Sequence, residues 1–145
     1  CRTDFGKEPM INSLDISTSA LVAQRARMNA ISGNLANLST TRNEAGEAKP
    51  YQRREVVFQT DESVGGGGAA GVKVAAVQID QADPKYRWDP NHEDAVRDPQ
   101  SEHFGQVAYP AIDMMTEFTD ALAVARAYEA NLGRWKSPRT WRNKP

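Results

Sequence analysis

A long apolar side chain recurs at every seventh position near the start of this chain, at Leu14, Leu21, Met28 and Leu35, with Ile31 and Leu38 each three residues further on. That spacing is the a/d stripe of an amphipathic helix that packs on another helix. Far along the chain Met115, Phe118, Leu122, Ala125 and Leu132 repeat the three-four rhythm, with Tyr128 alongside and Glu129 as the one break. Each stripe needs a partner surface.

Between the stripes the pattern changes. Tyr51 to Gln59 carries Val56, Val57 and Phe58, and Val72, Val74, Val77 and Ile79 follow a glycine-rich run at 65–71. Together they indicate a hairpin with a long tip, its second strand slipping phase near Ala75 and Ala76 as a bulge would. Pro84, Pro90 and Pro99 each withhold a backbone donor, so 83–100 is expected to be an ordered loop. The fold class is therefore α+β: long N- and C-terminal helices forming an antiparallel coiled-coil hairpin, with a small β-rich, irregular region inserted. The expected divisions are an N-terminal extension at 1–12 without fixed structure, a helix at 13–40, the insert at 41–111, a helix at 112–133 and a basic tail at 134–145. Asn12 and Ser13 are the candidate caps of the first helix, and Ile112 or Asp113 opens the second. Gly33 interrupts the first helix at a cost of about 1 kcal/mol relative to alanine, which close approach by another group or a local bend would explain.

With 145 residues, 39% hydrophobic content and a mean hydropathy of −0.65, the chain has little material for a large private core. Marginal burial points toward assembly. The net charge of −1 conceals a basic end, where Arg134, Lys136, Arg139, Arg142 and Lys144 stand without an acid. Cys1 is the single cysteine and cannot close an internal disulfide. It could be an acylated lipoprotein residue or an arbitrary end, and Met10 is the expected natural start. No apolar run approaches the roughly 20 residues of a membrane span, and nothing resembles a signal peptide.

Chemistry finds little to work with. The run at 65–71 lacks the Lys-Ser/Thr ending of a phosphate loop. Asp80, Asp83, Asp89, His92, Asp94 and His103 could surround a metal, but their spacing matches no ligand pattern. Two histidines and a terminal cysteine leave no nucleophile with its base, so neither catalysis nor a cofactor is expected. Trp135 and Trp141 within the basic tail would suit an anionic polymer such as single-stranded nucleic acid, although a short solvated tail explains them equally.

Several segments together resemble one family. Ser32-Gly33-Asn34-Leu35-Ala36-Asn37-Leu38-Ser39-Thr40 is similar to the Asn-Leu-Ala-Asn signature of the bacterial flagellar axial proteins, the rod and hook set. Pro50-Tyr51-Gln52-Arg53-Arg54, Gly71-Val72-Lys73-Val74, Trp88-Asp89-Pro90-Asn91-His92, Pro110-Ala111-Ile112-Asp113 and Arg126-Ala127-Tyr128-Glu129-Ala130-Asn131 resemble the proximal-rod members in order and spacing. The resemblance covers Met10 to about Leu132. It implies a non-enzymatic subunit of the basal-body rod, exported by the flagellar type III apparatus without a cleaved leader and assembled across the periplasm. Its partners would be copies of itself and other rod proteins, with no nucleic acid or small-molecule substrate. Asn34 and Asn37 would bond backbone groups at the helix exit, and the stripe residues would form the interfaces. Such a family member would continue the second helix in apolar turns, whereas Gly133, Pro138 and the tail are expected to end it here. Gln106 and Ala111 also stand where the family shows tyrosine and asparagine. A shifted reading frame after about Leu132 would account for the tail.

Overall fold

A computed structural model describes residues 8–136. The elements in chain order are α1 (Glu8–Ala36), β1 (Arg54–Asp61), β2 (Gly71–Ile79), β3 (Lys85–Trp88), β4 (Gln106–Tyr109) and α2 (Met114–Lys136). The fold is α+β, with two long helices and two two-stranded sheets, β1–β2 and β3–β4. No helix among the described residues is long and apolar enough to cross a membrane. The lipid reading of Cys1 and most of the basic tail fall outside the described residues.

The helix limits differ from those the sequence suggests. α1 begins at Glu8, so Asn12 and Ser13 lie within it and do not cap it. Polar residues cost only about 0.5 kcal/mol each in a helix interior, too little to set a boundary against the helix as a whole. α2 begins at Met114 with Asp113 as its cap: the Asp113 carboxylate accepts from Met115 N–H at 2.9 Å, and its carbonyl accepts from Glu117 N–H at 3.0 Å. The helix then passes through Gly133 to Lys136, because one glycine weakens a helix without terminating it.

The chain divides into two compact units. The first comprises, among the described residues, 8–29, 56–77 and 121–136. Ala23, Val56 and Val124 are buried there, and so is Ser17. Ser19 joins β2 to α1, its hydroxyl donating to Ile16 O at 2.7 Å and accepting from Val72 N–H at 3.1 Å. Gly71 makes this approach possible, since a Cβ at that position would lie 2.8 Å from both Ser19 Oγ and Val64 Cβ. At the hairpin tip Gly65, Gly67 and Gly68 all have positive φ, which is why the run is glycine-rich.

The second unit comprises 30–55 and 78–120 and is built around Ile31, Ala95, Val107 and Ile112. Here the structure departs from the loop expected at 83–100. Lys85–Trp88 is a strand, paired antiparallel with Gln106–Tyr109 in the register Lys85↔Tyr109 to Trp88↔Gln106. Pro84 and Pro90 lie outside the strand rather than within it, so the donors they lack are not needed by the ladder. Residues 89–96 then fold back on β4, with Val96 N–H donating to Gln106 O and Gly105 N–H to Val96 O, both at 2.9 Å. Gly105, at φ 74°, lies under the Trp88 ring, 2.7 Å from where its Cβ would be. On β4 Val107 is fully buried, whereas all four residues of β3 stay exposed, Tyr86 stacked on His103 with ring centroids 3.5 Å apart.

Candidate functional site

The most ordered chemistry in the second unit is a polar junction around Asn34, which is 0% exposed in the last turn of α1. Its Oδ1 accepts from Arg54 N–H at 2.9 Å and from the Tyr51 hydroxyl at 3.3 Å. Its Nδ2 donates to Arg54 O at 2.9 Å and to Glu117 Oε2 at 3.2 Å. The carboxamide thus meets both the donor and the acceptor of Arg54, as a neighbouring strand would. One side chain fixes where α1 ends against where β1 begins.

Glu117, also 0% exposed, sits in the first turn of α2, where the helix dipole favours a negative charge. Its other oxygen accepts from Arg53 Nε at 2.5 Å, and Arg53 reaches Asp120 at 3.6 Å and Glu55 at 3.7 Å. The hydrogen bond with Glu117 raises the Arg53 pKa beyond its already high value, so this cation is permanent. Buried charge is costly unless paired, and here guanidinium and carboxamide together satisfy the carboxylate. Arg53, Asn34 and Glu117 therefore stand or fall as one network.

Asn37 closes α1. Its N–H donates to Gly33 O at 3.1 Å, its Nδ2 to the same carbonyl at 2.7 Å, and its Oδ1 accepts from Thr40 Oγ1 at 3.1 Å. Of the two asparagines expected at the helix exit, Asn37 bonds the exit itself, whereas Asn34 reaches across to β1. At Gly33 the Tyr51 hydroxyl lies 3.6 Å from where a Cβ would be, an ordinary contact distance, so close approach by this group does not demand glycine there. Just beyond, Arg42 bridges Asp94 at 2.7 Å and Glu93 at 3.0 Å, and Thr41 Oγ1 donates to Asp94 at 2.7 Å. Arg42, then Thr41, hold the Asp94 carboxyl below the usual carboxylate range. His92 Nδ1 accepts from Asp94 N–H at 3.0 Å. These groups tie the α1 exit to the 89–96 turn; among the described residues no three acidic, histidine or cysteine side chains converge as metal ligands. A cleft of about 800 Å³ opens beside Gly33, Tyr51, Arg54 and Pro110.

The stripes are placed differently from this network. On α1, Ile31 is buried, Leu21, Met28 and Leu35 are half-buried and Leu14 is exposed; Leu38, half-buried, lies in the turn just beyond the helix. On α2, Met115 is 71%, Leu122 59% and Phe118 49% exposed; Tyr128 is exposed too, and Ala125 and Leu132 are half-buried. At 3.6 residues per turn Met115 and Leu122 point away from the face that buries Glu117 and Val124, and Phe118 flanks it. Neither Glu117 nor Arg53 stands out in the sequence, because an acid in a first helical turn reads as an ordinary solvated residue.

Residues 14–42 match the model of the family described as flagella basal body rod protein. The chain is 37% identical over 134 residues to the flagellar basal-body rod protein FlgC of Bacillus subtilis, an alignment covering 83% of this chain and 85% of that one. It is 35% identical to FlgC of Salmonella typhimurium over 85% of each chain. It is 31% identical to FlgC of Borreliella burgdorferi over 84% of this chain and 86% of that one.

Proposed function

The chain belongs to the FlgC family of flagellar basal-body rod proteins and is a structural rod subunit; we propose that it stands in the proximal rod, where it assembles helically with copies of itself and other rod proteins and transmits torque. The observation that carries this reading is the apolar stripe of α2, left open at Met115, Phe118 and Leu122 in the single chain. In the rod, α1 and α2 would pair as an antiparallel coiled-coil hairpin and give the remaining apolar surface of Leu14, Leu21, Met28, Leu35 and Leu132 to neighbouring subunits. Head-to-tail contacts between unlike patches make an open helix rather than a closed ring. The Asn34–Arg53–Glu117 network supports the mechanical part. A shaft must hold one geometry under load, and a satisfied buried polar network penalises slippage more sharply than apolar contacts do. Family membership also supports export by the flagellar type III apparatus without a cleaved leader. Metal, cofactor, nucleic acid and small-molecule substrate have no part in this function.

The test is complementation of a bacterium lacking its own FlgC. Expression of this chain should restore rod assembly and swimming, with the protein recovered in isolated basal bodies. Export followed by failure to enter the rod would contradict the proximal-rod assignment.

A further inference from the structure

We infer that Met114 and Met115 form an oxidant-sensitive pair, and that conversion of their thioethers to sulfoxides by a peroxide closes the start of α2 to docking. This rests on the reading that the apolar face of α2 is covered in the rod. Met115 is 71% and Met114 49% exposed, whereas Met28, the other methionine among residues whose side chains are described, is half-buried. Phe118 lies one turn on from both, so the two thioethers and the ring form one apolar surface at the head of the helix.

In the reaction a thioether sulfur attacks one peroxide oxygen. The O–O bond breaks, the S–O bond forms, sulfur loses two electrons and the departing oxygen leaves as water. The sulfoxide is polar and accepts hydrogen bonds, so pressing it against an apolar neighbour leaves an acceptor unpaired. The fold itself is spared. Capping of α2 uses the Asp113 carboxylate and the Met115 N–H, and the nearest buried group on the helix, Glu117, is held by Arg53 and Asn34, none of which involves sulfur.

The experiment treats the isolated full chain with dilute hydrogen peroxide and maps oxygen uptake by peptide mass spectrometry. Met114 and Met115 should gain oxygen ahead of Met28, and the treated chain should lose retention on a phenyl column without losing helix content. A Met114→Leu, Met115→Leu double variant should keep its retention through the same treatment. Oxidation of Met28 first, or equal loss of retention by the double variant, would overturn the inference. In isolated rods containing the chain, Met114 and Met115 should resist the same dose. Oxidation there as fast as in the free chain would instead overturn the covered-face reading, leaving the order of oxidation in the free chain as a separate result.

Discussion

Asn34 is the residue at which exchanging a single functional group should do the most damage. In Asn34→Asp the donor to Arg54 O disappears, and a carboxylate stands where the carboxamide now meets Glu117 at 3.2 Å. Two carboxylates at that distance repel, so the variant should lose about 2–4 kcal/mol at neutral pH. Such a pair binds a proton more tightly folded than unfolded, so stability should return as pH falls from 7 toward about 5. Denaturant unfolding across that range checks the sign, and a loss independent of pH would mean Glu117 is not the neighbour. Asp94 behaves oppositely. Its folded pKa is depressed by Arg42 and Thr41, so its contribution is complete above the unfolded value of about 3.9 and disappears as pH falls through the folded value. Asp94→Asn should therefore flatten the acid side of the stability profile, read from unfolding between about pH 5 and 2. Only part of this chemistry was legible beforehand. Asn34 and Asn37 stood in a signature, but the partner of Glu117 lies 64 residues upstream, and no local spacing pairs them.

At the scale of elements, the two helices and the first hairpin follow from local pattern, because the 3.6 and 2 periodicities run long enough to be recognised. β3 and β4 did not, for they are four residues each and three of the eight positions carry a charge or an amide. Their pairing depends on contacts distant in sequence, on Gly105 beneath Trp88 and on the 89–96 turn folding back. The close approach of β2 to α1 is equally invisible in composition, yet it makes Gly71 irreplaceable. Gly71→Ala should force Ser19 or Val64 aside and cost about 1–3 kcal/mol as overpacking does, seen as a lowered Tm. Ala at Gly133, where nothing lies within 4 Å, should leave Tm unchanged or raise it slightly. Equal effects at the two positions would mean that β2 does not approach α1 as closely as described.

For the whole molecule, the distribution of burial matters more than its amount. The core of each unit is small and partly polar, whereas several of the largest apolar side chains, Met115, Phe118 and Leu122 among them, lie outside it. That distribution supports the proposal that this apolar surface is covered by neighbouring subunits in the rod. The stripes were readable as stripes, but the sequence does not distinguish a face buried within the chain from one reserved for a partner. The most direct measurement is Leu122→Asp, made in the isolated protein and in cells lacking FlgC. The variant should unfold within about 0.5 kcal/mol of the parent, as exposed substitutions do, while failing to enter the rod and leaving the cells non-motile. Normal swimming, or collapse of the isolated chain, would show that this face is not held open for assembly.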